Sequence, residues 1–202
     1  MDEPRSAGPR DPRDPTLHNL DARSLRGLAH PLRMQLLNAL RRGGPATASQ
    51  LAAKLGESSG ATSYHLRQLA AHGFVEDAPE HGKGRERWWK AAHDGLLFDG
   101  ALAMDGDPEV RGAADLFLHE VANQHTREVA TWLGTLGDWP EQWRGAWDLS
   151  DWTLRLTPEL ADELTQKMQE LLESYRAKAS DAGDPDTEQV RVHTHVFPIR
   201  TD

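Results

Sequence analysis

The sequence predicts a mainly α-helical chain with a little β structure: a head of short helices and a hairpin, then one long helix, then a small α/β module. Three observations carry this. Short amphipathic segments with their own capping and stop residues fill residues 17–98. An apolar stripe of helical period then runs from Ala114 to Leu136, and beyond it two segments with apolar residues at every second position flank a helical one.

The opening residues, MDEPRSAGPRDPRDP, mix proline with alternating charge and predict a disordered tail over 1–16. They lack the apolar core of a signal peptide. Asp21 to Ala29 predicts a short helix with Leu25 and Leu28 on one face. Pro31 opens the next helix, at a first-turn position where its missing amide proton costs nothing. Leu32, Leu36, Leu37 and Leu40 form its apolar stripe, Gly43-Gly44-Pro45 ends it, and Arg33 and the Arg41-Arg42 pair are its candidate phosphate contacts.

Ala48 to Leu55 predicts a further amphipathic helix, capped by Thr47 or Ser49. Gly56-Glu57-Ser58 then turns tightly into Ser58 to Phe74, SSGATSYHLRQLAAHGF. Ser58 can take up an amide proton at the start of that helix, and Gly73 supplies the left-handed stop. A 3.6-residue wheel puts Thr62, Leu66, Leu69, Ala70 and Gly73 on one side and Gly60, Ala61, Tyr64, Arg67, Gln68 and Ala71 on the other. Two short helices joined by a glycine-containing turn make a helix-turn-helix.

The outward face of the second helix is short, polar and free of acid. A helix laid in the DNA major groove needs small residues for close approach, and hydroxyls and a guanidinium for phosphates and base edges. Ser59, Gly60, Ser63, Tyr64 and Arg67 are placed closest, with Ser58 and His65 beside them. Downstream, Phe74-Val75-Glu76 and Arg87-Trp88-Trp89-Lys90 are strand-like runs around EHGKGRE, which predicts a wing whose Lys83, Arg85 and Arg87 reach flanking phosphates.

Charge supports that division. The chain carries −9, yet residues 23–92 hold 11 Lys+Arg and 5 Asp+Glu, net +6, while residues 99–202 hold 9 and 21, net −12. A basic head can bind phosphate, and an acidic body is repelled from the duplex. The domains expected are therefore 17–98 for DNA binding and 99–202 for dimerisation or an effector.

Ala91 to Asp107 is mixed and should pack on the head as a helix or short turns. Pro108-Glu109 open a long helix with Ala114, Leu118, Val121, His125, Val129, Trp132 and Leu136 on one face. Its position and length predict the dimer helix, since a two-fold operator is read by two recognition helices. A tryptophan-rich connection follows, and Trp132, Trp139, Trp143, Trp147 and Trp152 are the residues that would line a pocket for a small apolar or aromatic effector. Leu149 to Leu156 predicts a strand. Thr157-Pro158-Glu159 starts a helix burying Leu160, Leu164, Met168, Leu171 and Tyr175, and Gln189 to Phe197 predicts a second strand.

Residues 23–92 resemble the winged helix-turn-helix of the ArsR-type bacterial repressors. The residues that carry the resemblance are His30-Pro31-Leu32-Arg33, Leu51 to Leu55, Ser58, Ser63, His65-Leu66, Leu69 and Gly73-Phe74-Val75. The resemblance implies a homodimeric regulator of transcription, repressor rather than activator, that reads an inverted repeat in double-stranded DNA. It also invites a test for metal. The supporting-helix stretch TASQLAAK offers no thiolate, and His125-x-x-Glu128 matches only half of the zinc pattern of relatives, because Gly112 and Ala114 stand where the other ligands belong.

His193-x-His195 on one strand face could contribute to a histidine site, which leaves a metal-responsive regulator as one alternative. An adaptor whose acidic module docks a partner protein is another. The absence of cysteine excludes disulfides, and no apolar run is long enough for a membrane. Without a phosphate loop, nucleophile elbow or HExxH, no enzyme, catalytic residue or cofactor is expected, and the location expected is cytoplasmic.

Overall fold

Explicit caps start each helix between residues 21 and 71. The computed structural model of the chain describes residues 16–81, 86–176, 178, 179, 184 and 187–200. Asp21 starts α1 (Ala22–Leu28), its carboxylate accepting from the Ser24 amide at 2.7 Å while Ser24 Oγ accepts from the Asp21 amide at 2.9 Å. In α2 (Pro31–Gly43) the N-cap is His30, whose Nδ1 accepts from the Leu32 amide at 3.2 Å. That nitrogen must be unprotonated to accept. Thr47 and Gln50 form a reciprocal capping box on α3 (Ala48–Leu55). Ser58 Oγ accepts from the Ala61 amide at 3.2 Å to cap α4 (Ser59–Ala71). Gly56 and Gly73 stand at φ 70° and 76°, the left-handed turns that end α3 and lead out of α4.

The expected hairpin is present as β3 (Val75–Asp77) and β4 (Trp88–Ala91), antiparallel with Glu76 opposite Lys90. β2 (Ala46–Thr47) adds to the other edge of β4, giving the order β2-β4-β3. A separate parallel pair joins β1 (Leu17–Asn19) to β5 (Gly95–Leu97). Neither β1, β2 nor β5 was expected. Strands of two or three residues are too short for an alternation to register.

The core lies inside these elements. Leu25, Leu36, Leu66, Leu69 and Phe74 are at most 1% exposed, and Ala114 and Phe117 of α5 (Pro108–Gly134) join the same cluster. Phe117 stacks on Phe98 with ring centroids 5.4 Å apart. α5 thus packs first on its own domain, and its buried line is Val110, Ala114 and Phe117, with Val121 partly covered. Further along, Asn38 donates to Gln124 and Arg42 pairs with Glu128. The face differs from the expected stripe: Leu118 is 41% exposed.

One close approach carries a prediction. A Cβ built on Gly27 of α1 would lie 2.3 Å from the His72 ring, at the ring's own base, where turning the ring about its Cβ–Cγ bond cannot clear it. Gly27→Ala should therefore destabilise the domain by about 1–3 kcal/mol despite alanine's better helix propensity. A thermal melt of the purified variant checks this, and an unchanged or raised midpoint contradicts the packing.

The chain divides into two units, Pro12–Thr131 and a second that begins at Trp132. Within the second, two short 3-10 turns at Leu136–Asp138 and Glu141–Trp143 precede α6 (Pro158–Arg176), where the Thr157 hydroxyl accepts from the Leu160 amide at 3.3 Å. The strands expected over 149–156 and 189–197 are not formed, so the C-terminal module is not α/β in the single chain. Every strand among the described residues falls within 17–97. Alternation sets which side chains share a face, but a strand also needs a neighbour to pair with. Nor does α6 bury its stripe, since Leu160, Leu171 and Tyr175 are 48%, 59% and 63% exposed.

Candidate nucleic-acid interface

α4 presents the two faces that its sequence periodicity predicts. Thr62, Leu66 and Leu69 are fully buried, whereas Ser59, Gly60, Tyr64, Arg67 and Ala71 are exposed and Ser63 is half-buried. The exposed side carries no carboxylate, and it begins at the helix N-terminus, where unpaired amides favour an anion. Gly60 is singular here. Its backbone is not in the left-handed region, and a Cβ on it would meet nothing within 4 Å. Nothing inside the chain demands glycine at this position.

Arg67 folds back on its own helix, Nε donating to the Ser63 carbonyl at 3.1 Å. It lines an open cavity of about 260 Å³ between α3, α4 and the hairpin, together with Thr47, Ser49, Ser63, Glu86 and Trp89. On the far wall the Ser49 hydroxyl donates to Glu86 at 3.1 Å.

The expected phosphate contacts divide. Lys83 and Arg85 lie outside the described residues. Arg87 is engaged within the hairpin, donating to both carboxylate oxygens of Asp77, one bond being 2.9 Å, and stacking 3.9 Å over the buried Trp89 ring. The Arg87 hydrogen bonds hold the Asp77 carboxyl below its usual value. Sequence reasoning missed this clamp, although Glu76 facing Lys90 across the hairpin, 3.4 Å apart, follows from the same register.

Arg33 donates to the carbonyls of Arg26 at 3.3 Å and Ala29 at 3.5 Å, so it steadies the end of α1. Burial lowers its guanidinium pKa, and the nearby Tyr64 opposes that shift. Arg41 donates Nε to the His93 carbonyl at 3.1 Å and is brought by burial to about 10, still charged, while Arg42 holds Glu128.

His65 does not face outward with its neighbours. Its ring lies 4.4 Å from that of His30 and meets Tyr64 edge-on at 5.1 Å. Burial first, then the adjacent His30 and Arg33, lowers the His65 pKa. This pairing joins the start of α2 to α4, and its 35-residue separation hid it from any local pattern.

In the second unit Trp132 meets Trp147 edge-on at 5.2 Å, and the Trp147 indole donates to the Arg144 carbonyl at 2.7 Å. Trp139 and Trp143 are half-buried, and Trp152 is 83% exposed. Among the described residues no group of three or more His, Asp or Glu is placed to hold a metal, and no helix is long and apolar enough to cross a membrane.

Residues 28–78 match a family model described as a helix-turn-helix domain. No curated protein matches the chain. Among solved structures, one similar chain is the homodimeric winged helix-turn-helix DNA-binding domain of a possible ArsR-family transcriptional regulator from Mycobacterium bovis. It is 24% identical, with 52% of this chain and 79% of that one covered, at a TM-score of 0.33. Another is an ArsR-like transcriptional regulator from Rhodococcus sp. RHA1, 27% identical, with 55% and 90% covered, at a TM-score of 0.30.

Proposed function

We propose that this chain, whose residues 28–78 carry a helix-turn-helix domain, is a cytoplasmic, non-catalytic regulator of transcription that reads an inverted repeat in duplex DNA as a homodimer. Repression is the outcome this reading favours. One observation carries it: the exposed, acid-free face of α4 is built around a glycine that neither backbone nor packing requires. A missing side chain that the chain itself does not use leaves room for something else to come close. The groove floor is such a partner, with Ser59, Ser63, Tyr64 and Arg67 around it to donate to phosphates and base edges.

The reading assigns different work to the flanking residues. Lys83 and Arg85 hold the backbone beside the groove, while Arg87 fixes the hairpin through Asp77 and Trp89. Arg33 steadies the end of α1, and His65 ties α4 to the start of α2. α5 pairs two copies along the flank its own domain leaves open, where Leu118 is exposed and Val129 is half-covered.

The test is Gly60→Ala. A methyl there touches nothing in the free protein and improves helix propensity, so stability should rise by about 0.5–1 kcal/mol. Affinity for the selected duplex should nonetheless fall about tenfold or more, because the methyl occupies the approach. Thermal melts and duplex titrations on one preparation read both effects. A variant with unaltered duplex affinity removes this face from the interface.

A further inference from the structure

The second unit has surface but almost no interior. None of its described residues is buried. Thirteen large apolar side chains from Trp147 to Ile199 are exposed, Trp152 at 83%, Phe197 at 67% and Val190 at 66% among them. At 150–250 Å² for each aromatic side chain, Trp147, Trp152, Tyr175 and Phe197 alone leave roughly 500 Å² in water. The nine aliphatic side chains carry the total past the ~800 Å² that each partner contributes to a stable interface. A unit of this size cannot offset its conformational entropy without a core.

The exposed residues are patterned. Trp152, Leu154 and Leu156 alternate with Thr153, Arg155 and Thr157, and Val190, Val192 and Val196 alternate with Arg191, His193 and His195. Both segments stand outside any sheet. They also differ in charge: residues 148–176 hold 7 Asp+Glu and 3 Lys+Arg, net −4, while residues 187–200 hold 1 and 2, net +1.

We propose that a second copy of this chain completes the unit, with segments 149–156 and 190–199 becoming strands only between the two copies. This rests on the dimeric reading above and adds a second place, beyond α5, where the copies meet. A two-fold pairing suits the observations. It is self-complementary, it gives each alternating segment the neighbour it lacks, and it sets the net-positive end of one copy on the acidic stretch of the other. The four aromatics then form the centre of the interface, where such residues carry most of the binding.

The experiment is sedimentation of the full chain from nanomolar to tens of micromolar, for the native protein and for the Leu154→Glu/Val192→Glu double variant. Both side chains are exposed in the single chain, at 57% and 54%, so the substitutions disturb no core, and far-ultraviolet circular dichroism verifies the fold. The double variant should weaken dimerisation by roughly 100-fold or more. Hydrogen exchange in 149–156 and 190–199 should slow only at concentrations where the native dimer forms.

Unchanged dimerisation in the double variant overturns the proposal. So does protection at every concentration, which means the segments pair within one chain, or protection at none. A dimer lost in Leu118→Glu but kept in the double variant overturns this interface and leaves the α5 interface standing. A native chain that is monomeric throughout overturns both. Duplex binding is read separately through Gly60→Ala, so failure of the DNA reading is distinguishable from failure here.

Discussion

Leu66→Ala should cost the N-terminal domain about 2–5 kcal/mol, while Arg67→Ala, one residue on, should leave its stability within about 0.5 kcal/mol. The two side chains leave α4 about 100° apart, one into the core and the other into solvent. Leu66 is 0% exposed among Leu69, Phe74 and the leucines of α2, so its truncation removes buried apolar area and leaves a cavity that packed helices cannot close. Arg67 is exposed, and its one internal bond, to the Ser63 carbonyl, joins a group that water can equally solvate.

Duplex binding should reverse the order of effects. Arg67→Ala should lose about 1–3 kcal/mol of affinity for the preferred site, roughly tenfold to over a hundredfold, and whatever Leu66→Ala loses should track its unfolded fraction. Denaturant titrations and duplex binding at fixed salt measure both. Equal affinity for the native protein and Arg67→Ala means the guanidinium does not touch DNA.

Acidification below about pH 6.5 should lower the stability of this domain. His18, His30, His65 and His72 all have pKa values lowered from 6.5, burial being the first cause for each. Neighbouring charge adds to it: His93 and Arg41 beside His18, Arg33 beside His30, His30 and Arg33 beside His65, Arg23 and Arg33 beside His72. Asp21, near His18 and His72, and Glu57, near His65, oppose the shift without reversing it.

The sign follows from linkage. With each folded pKa below 6.5, the unfolded chain takes up protons first as pH falls. Stability is fully present above about 6.5, declines through the interval down to the folded values, and levels off beneath them. Asp21 and Asp77, lowered from 3.8, lose their contribution as pH falls below that value.

His30 contributes in a second way, because protonating its Nδ1 also removes the cap on α2. His30→Ser should keep a cap and flatten the pH slope. Melting midpoints at pH 7.5 and 5.5 decide the matter, and midpoints that stay level or rise on acidification contradict it.

What could be read from the sequence was whatever is settled within a few residues. Ser58, Thr47 with Gln50, Pro31 and Gly73 act on their own turns of helix, and the inner face of α4 follows from a period of 3.6, so the helix-turn-helix was legible. Arg87 was not, because its partner Asp77 is chosen by how the hairpin closes. The packing of His65 on His30 was not legible either, because position on a wheel ignores a ring arriving from α2. The stripe on α5 combined residues that its own domain buries, such as Ala114, with Leu118, which that domain leaves exposed. The C-terminal alternation was real as a pattern of faces, but in one chain its two segments do not pair, and pairing is not encoded in either segment alone.

We propose that the open face of α4 reads duplex sequence. The most direct measurement of this is selection from a random duplex pool by the purified full chain, run in parallel with Arg67→Ala and with the selected site then titrated across salt. One inverted repeat should be enriched by the native protein and more weakly by Arg67→Ala, with log affinity falling linearly with log salt as phosphate contacts release their counterions. A pool that emerges without an enriched sequence, or one enriched identically by both proteins, contradicts this reading.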